Sequence, residues 1–248
     1  MTSSGTSTAP NPQPLATRLR KWEAFWHGPR VEAEATHRIS AELVLAALRA
    51  ERLVGRPCLL DLGCGSGRIM ELLGQGGCEV VGLDLAAGAL QAARERLGPE
   101  GRLLRGDAFH LPFADASFEA IVSLGYASVG SYPGVQAELA RVLRPGGLAL
   151  IDFRRFGLYH LPFLPLRARQ FVRAWRRGDV SLPLLGLRPG PTWAAAGFRL
   201  EAVALFNTYP PLGRRLPTAG ALGFERRVGR GLAPLLARTA LARFRRSA

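Results

Sequence analysis

The chain has 248 residues, of which 48% are hydrophobic, and a formal net charge of +14. This length and apolar content suit one α/β domain with a sizeable core. No apolar run approaches the roughly 18 residues that a membrane span needs, and the amino terminus lacks a hydrophobic signal core, so we expect a cytoplasmic protein. Cys58, Cys64 and Cys78 have spacings that match no metal site or disulfide framework, and we expect no bound metal.

The amino-terminal region predicts a mobile tail followed by a helical cap. Residues 1–14 are mostly Ser, Thr, Pro, Asn and Gln, a composition typical of disorder. Within 15–54, Leu19, Trp22, Phe25 and Trp26 recur at near-helical spacing, and His27-Gly28-Pro29 then breaks the pattern. A second covering helix is expected over residues 31–51.

A glycine-rich turn follows the first predicted strand. In residues 58–68, CLLDLGCGSGR, a short apolar run ends at Asp61 and opens into Gly63, Gly65 and Gly67. Glycine adopts positive φ and leaves no Cβ in the path of a ligand. Such turns also serve purely structural ends, but this one is typical of a nucleoside site.

A second apolar run, residues 79–84, ends in Asp84 and completes a βαβ unit around a helix expected over 66–73. An acid at this position is placed to accept hydrogen bonds from ribose hydroxyls. The glycines read G-x-G-x-G and are followed by Arg68, whereas a pyrophosphate cradle needs G-x-G-x-x-G. The spacing therefore favours a cofactor without phosphates.

Four motifs carry a family resemblance: LLDLGCGSGR at 59–68, VVGLDLA at 80–86, LLRGDAFHLPFADASFEAIVSL at 103–124 and LARVLRPGGLALID at 139–152. Together they resemble class I S-adenosylmethionine-dependent methyltransferases of the small-molecule branch related to quinone biosynthesis. The resemblance implies a three-layer, Rossmann-like α/β fold, whose seven-stranded, mostly parallel sheet has an antiparallel closing strand. It also implies S-adenosylmethionine as cofactor and S-adenosylhomocysteine as product, bound by a core over residues 55–153.

Carried over position by position, the resemblance implies a set of cofactor-binding residues: Asp61, Gly63, Cys64, Gly65 and Gly67 for the methionine portion, Asp84 for the ribose, Asp107 with the backbone of Ala108 for the adenine amino group, Leu85 and Phe109 beside the adenine ring, and the backbone at Ser123 and Leu124 facing the sulfonium. For Leu85 and Phe109, simple core packing is the alternative. The resemblance further implies that the segment before the first strand folds over the cofactor.

The carboxyl-terminal part carries the positive charge, because residues 154–248 contain 18 Arg and 3 acids. Residues 154–190 mix apolar side chains with Arg and predict an amphipathic lid, with one helix near 166–177, which either walls the acceptor pocket, rests on an anionic membrane surface or packs on its own domain. Residues 191–248 complete the fold, with a last segment near 240–245 that reads equally well as the closing strand or as a basic helix.

The expected reaction is in-line methyl transfer to the oxygen, nitrogen or carbon of a small hydrophobic acceptor. An RNA methyltransferase and a non-catalytic binding protein are the alternatives. The segment after the fourth strand reads LGYAS rather than the Asn/Asp-Pro-Pro-aromatic turn of amino-group methylation, and no cysteine follows Cys78. General-base candidates near the pocket mouth are His27, His110, Tyr126, Tyr132 and His160, none with a partner visible in the sequence.

Overall fold

A computed structural model describes residues 14–27, 34–53, 57–125, 132–155, 180–181, 191–208 and 218–247. The helices are α1 Leu15–His27, α2 Glu34–Ala50, α3 Arg68–Gln75, α4 Ala87–Leu97, α5 Pro133–Val142, α6 Pro191–Ala195 and α7 Thr218–Leu236. The strands are β1 Cys58–Leu62, β2 Glu79–Asp84, β3 Arg102–Arg105, β4 Phe118–Ser123, β5 Leu143–Arg155, β6 Val180–Ser181, β7 Phe198–Phe206 and β8 Thr239–Arg246.

The strands form one sheet in the order β3-β2-β1-β4-β5-β8-β7, and the two-residue β6 pairs with the end of β5. β1 pairs in parallel with β2 and with β4, and β8 runs antiparallel between β5 and β7. The expected α/β architecture with an antiparallel closing strand is confirmed. Because the chain departs in opposite directions from β1, a crevice opens at the carboxyl ends of β1 and β4, where doubly wound sheets bind ligands.

The last segment is a strand, which resolves the ambiguity between strand and helix. The side chains of Ala240, Leu241, Ala242 and Phe244 are buried between β5 and β7. An isolated segment of this composition has no strong preference, so the two neighbouring strands decide its conformation.

The helix after the glycine-rich turn begins at Arg68, two residues later than expected. Gly67, at φ 73°, is left-handed and caps the helix, so the turn extends through it. The predicted lid lies almost entirely outside the described residues, as does the tail at 1–13, and both stay predictions.

Two apolar layers cover the sheet. On one side, Trp193 of α6 stacks on Phe244 of β8, with ring centroids 4.2 Å apart and an interplanar angle of 7°. Phe153 and Phe198 pack edge-on against Trp193. On the other side, α2 and α3 bury Val44, among other residues, against β1 and β4. Both layers include buried residues of the carboxyl-terminal strands, Phe198 and Phe244 on one side and Phe206 and Leu241 on the other.

Several carboxyl-terminal arginines form internal contacts. Arg245 donates to Glu51 at 2.7 Å and to Glu201 at 2.9 Å, and Arg243 lies 3.2 Å from Glu51. Arg155 is 4% exposed and donates to the carbonyl of Ala233 at 3.3 Å. The basic excess of this region is therefore partly structural. Among the helices that the structure describes, none has the length and apolarity to cross a membrane.

The Trp193 stack gives a stability prediction. Trp193→Ala should lower the free energy of unfolding by about 3–5 kcal/mol, because it empties a fully buried site. Trp193→Phe should lose less, since it keeps an aromatic ring and removes an indole N–H that has no partner among the described residues. Urea unfolding measures both. Val203→Ala, at a side chain 37% exposed, is the control, and a loss for Trp193→Ala no larger than for this control would contradict the stack's importance.

Candidate active site

A cavity of about 510 Å³ opens at the carboxyl ends of β1, β2, β4 and β5. Its walls come from the glycine-rich turn, from the residues after β2, β3 and β4, from α1 and α2, and from the ends of β5, β7 and β8. Four carboxylates line it: Asp61, Asp84, Asp107 and Asp152. This concentration of acids favours a ligand that carries positive charge.

The turn after β1 is held open by backbone geometry. Gly63 and Gly65 have φ values of 78° and 54°, which glycine adopts without strain. The amides of Gly63 and Cys64 donate to the carbonyl of Leu83, at 2.7 and 3.2 Å. A Cβ on Gly65 would lie 3.0 Å from the ring of Trp26, so a side chain there would collide with α1. The turn thus leaves a bare backbone surface under α1.

Asp84 ties this turn to β2. Its Oδ2 accepts a hydrogen bond from the amide of Gly65 at 3.0 Å, and its Oδ1 accepts one from Ala86 at 2.9 Å. Burial raises the pKa of Asp84 above its ordinary value, against the lowering effect of these amides. The carboxylate therefore sets the turn's shape while facing the cavity.

Asp61 is an incompletely paired acid. It is 2% exposed, and its Oδ2 has no hydrogen-bond partner among the described residues. Burial, with a smaller contribution from Asp84, raises its pKa from 3.8 to about 7. A buried carboxylate oxygen without a donor is costly in the fold, and a cationic donor from a ligand would relieve that cost.

Asp107 is paired with the amino-terminal helix. Both guanidinium nitrogens of Arg18 donate to it, at 2.6 and 2.7 Å, and the amide of Phe109 donates to Oδ1 at 3.2 Å. The Arg18 guanidinium also lies 4.5 Å from the centroid of the Phe109 ring. Burial raises the pKa of Asp107, but the hydrogen bonds and charge of Arg18 outweigh it and hold the pKa below its ordinary value.

Helix α1 covers the cavity and has a second anchor at α4. Glu23 accepts hydrogen bonds from the amides of Ala87 at 2.8 Å and Gly88 at 3.3 Å, where a carboxylate interacts favourably with the helix amino terminus. Trp22, Phe25 and Trp26 line the cavity from above. The aromatic face expected from the sequence therefore forms the roof of the site.

The structure brings most of the predicted cofactor residues to one cavity: Asp61, Gly63, Cys64, Gly65, Asp84, Leu85, Asp107, Ala108 and Leu124 line it. Three others lie outside the lining. Ser123 is fully buried and its hydroxyl donates to the carbonyl of Leu62 at 2.9 Å. Gly67 caps α3 against Leu97, and the ring of Phe109 packs beneath Arg18. These three residues lie next to the lining residues and do not line the cavity themselves.

None of the described general-base candidates lies in the cavity wall. His110 is exposed, and the ring of Tyr132 packs 5.4 Å from that of Phe109. Tyr126, His160 and the side chain of His27 lie outside the described residues.

Other lining residues were missed in the sequence, including His37, Asp152, Asn207 and Thr239. Asp152 could have been predicted from the sequence, because it follows the apolar run 148–151 in the way that Asp61 and Asp84 follow theirs. Asn207 and Thr239 could not have been predicted from a local pattern, since the contact between them depends on how β7 and β8 pair.

Comparison with known proteins agrees with this geometry. A family model described as Methyltransferase domain matches residues 60–151. The demethylmenaquinone methyltransferase of Thermobifida fusca is 32% identical over 168 residues, which are 65% of this chain and 67% of that enzyme. The malonyl-[acyl-carrier protein] O-methyltransferase of Serratia marcescens is 36% identical over 156 residues, 61% of this chain and 58% of that enzyme.

Two solved structures share the fold. A putative methyltransferase of Haloferax volcanii, solved with the Trm112 activator, superposes with a TM-score of 0.60 at 20% identity, covering 92% of this chain and 96% of that one. Magnesium protoporphyrin IX methyltransferase of Synechocystis PCC 6803, solved with S-adenosylhomocysteine, gives 0.55 at 15% identity, covering 94% and 95%.

The fold and the acid-lined cavity define a class I methyltransferase. The chain belongs to the S-adenosylmethionine-dependent methyltransferase family, in the group related to the quinone-biosynthesis enzymes. The cavity fits that cofactor, because Asp61 has a buried oxygen with no partner among the described residues, which matches an ammonium group, and because three further carboxylates line the same cavity.

The raised pKa of Asp61 predicts that this carboxyl group lowers the free energy of unfolding as the pH rises. Because the unfolded carboxyl ionises near 3.8 and the folded one near 7, the folded state binds more protons between these values and loses stability as pH rises through them. Asp61→Asn removes this loss and should raise the free energy of unfolding at pH 8 by up to about 4 kcal/mol. Urea unfolding at pH 4 and pH 8 measures it, and an equal difference between variant and wild type at both pH values would contradict the assignment.

The ion pair between Arg18 and Asp107 predicts that Arg18 holds α1 against the rest of the domain. Arg18→Ala should increase amide hydrogen exchange across residues 15–26 about tenfold, because it removes a partly buried bidentate ion pair. Arg20→Ala is the matched control, since Arg20 is exposed and the hydrogen bond it makes within the described part of the chain stays inside α1, to Thr17 at 3.4 Å. Equal exchange in the two variants would show that Arg18 does not hold the helix.

Proposed function

We propose that this protein transfers the methyl group of S-adenosylmethionine to a small lipophilic acceptor bound in the same cavity. The observation that carries the proposal is the composition of that cavity, which joins three strand-end acids to an aromatic roof of Trp22 and Trp26. The acids suit a cationic cofactor, and the aromatic surface suits an apolar acceptor. Relatives named for demethylmenaquinone and 2-phytyl-1,4-naphthoquinone support this acceptor class.

The cofactor, when bound, supplies an electrophilic methyl carbon on a sulfonium. We assign Asp61 to its ammonium group, Asp84 to its ribose, and Asp107 with the backbone of Ala108 to its adenine. Asp84 also holds the turn at Gly65, so one side chain shapes the site and binds in it. The protein contributes chiefly alignment of the two reactants and exclusion of water by α1.

The described arginines give little support to the alternative of an RNA methyltransferase. Arg243 and Arg245 pair with Glu51 and Glu201, and Arg155 donates to backbone carbonyls. On α7, Arg227 is exposed, and exposed Arg226 pairs with Glu42 at 3.5 Å. Peripheral membrane contact through the predicted lid stays a prediction. A non-catalytic binding role is distinguished from catalysis by an activity assay.

The cofactor assignment is tested by calorimetry with S-adenosylhomocysteine. Asp84→Ala and Asp107→Ala should each weaken its affinity at least about tenfold, because each removes hydrogen bonds to a charged group. Asp115→Ala is the matched control, at an acid whose side chain is 78% exposed and which, among the described residues, pairs with Arg141. Unchanged affinity in both site variants, with the fold intact by circular dichroism, would refute the assignment.

The reaction itself is tested with cofactor that carries a labelled methyl group and an extract of host small molecules and RNA. We expect label in the lipid-soluble fraction. Label confined to RNA would favour the alternative, and no label in any fraction together with tight cofactor binding would favour a binding protein.

A further inference from the structure

We propose that Asp152 and Asn207 form an acceptor-recognition pair that accepts the one hydrogen bond donated by a hydroxyl group on an aromatic methyl acceptor. The inference rests on the proposed function and deepens it, because it names the chemistry by which the cavity selects its second substrate. Both residues line the cavity that holds the cofactor acids, and neither belongs to the set implied by the family motifs.

Asp152 lies in the carboxyl-terminal part of β5, beyond the end of β4. Ile151 pairs with Ser123, the last residue of β4, so Asp152 stands at the level where β4 has ended. The amide of Gly125 donates to its Oδ1 at 2.9 Å. The backbone thus holds the Asp152 carboxylate in place while the side chain lines the cavity.

Asn207 supplies the second acceptor. It follows β7 in a left-handed conformation, φ 61°, and is only 5% exposed. Its Nδ2 donates to the hydroxyl of Thr239 at 2.8 Å, and this bond orients the amide. The remaining atom, Oδ1, is buried and has no hydrogen-bond partner among the described residues. A buried amide oxygen without a donor costs free energy that a ligand donor would recover.

Two acceptors facing one cavity select for donors. A carbonyl or ether oxygen brings only lone pairs and can donate to neither Asp152 nor Asn207, whereas a hydroxyl has one hydrogen to donate to the pair. Sites built to hydrogen-bond a hydroxyl reject analogues that lack it, because the buried groups are then unpaired. The aromatic roof of Trp22, Phe25 and Trp26 suits a planar body behind that hydroxyl. The observations therefore favour an aromatic alcohol over an aliphatic or carbonyl compound.

The pair should depend on pH. Burial raises the pKa of Asp152 from 3.8 to about 6, against the smaller lowering effects of the Gly125 amide and Arg154. The carboxylate is ionised above that value and accepts strongly, and protonation below it weakens the site. Other charged or titratable groups line the same cavity: Arg154 on β5, His37 on α2, Arg68 on α3, and the acids Asp61, Asp84 and Asp107. Only the part of a pH profile that disappears in Asp152→Asn belongs to this carboxyl.

The test measures probe binding to the full chain saturated with S-adenosylhomocysteine. The probes are 2-naphthol and 2-methoxynaphthalene, in which a methyl group replaces the donor hydrogen of the hydroxyl. In the wild type, calorimetry at pH 7.5 should give at least about tenfold tighter binding of the naphthol, a preference that falls at pH 5. Asp152→Asn should reduce the preference about tenfold and remove the part of the pH dependence assigned to it. Asn207→Gly, which tolerates the positive φ, should reduce it several-fold.

Controls separate this inference from the function on which it rests. Asp115→Asn makes the same chemical change at an exposed site and should retain the wild-type preference. Site variants that bind S-adenosylhomocysteine with wild-type affinity are folded, and their loss of naphthol preference then supports the pair. If the wild type fails to bind S-adenosylhomocysteine, the proposed function itself is wrong. If that binding is normal but neither naphthalene binds, or the preference is absent or survives in both variants, the recognition pair is wrong and the proposed function stands.

Discussion

The hydrogen bonds from Gly65 and Ala86 to the carboxylate of Asp84 are the constraint on which the site depends. They join the turn after β1 to the end of β2, so that two parallel strands present one continuous rim. The positive φ of Gly65 lets its amide reach the acid, and the missing side chain leaves room for Trp26 above it. A change in the turn, in the acid or in the roof would disturb the other two.

The acidic side chains of the site repel one another when no cation is present. Asp61 is buried near Asp84, and its pKa is raised by burial and by that neighbour. Asp107 has a cation in Arg18, which belongs to the same helix that carries the aromatic roof. The two acids therefore differ: Asp107 is paired within the chain, whereas Asp61 has an oxygen with no partner among the described residues, which we assign to the ligand. Placing charge where only a ligand completes it is typical of binding sites that sacrifice stability for affinity.

Much of the fold and half of the site follow from local patterns. The glycine turn, Asp84 and the parallel strands have signatures within a few residues, because strand ends and turns are decided locally. The closing strand could not be assigned, since its conformation comes from β5 and β7 on either side. The contacts of Arg18 with Asp107 and of Asn207 with Thr239 join residues 89 and 32 positions apart, and no local pattern records them. Ser123 shows the converse: its position fits the family motif, but its hydroxyl bonds inward to Leu62.

The covering position of α1 constrains how substrates come and go. Its side chains roof the same chamber that the four acids line, and Arg18 and Glu23 hold it on both flanks. On the function proposed above, the methyl donor and the acceptor share this chamber, so the anchoring of α1 by these two residues bears on the entry and release of both.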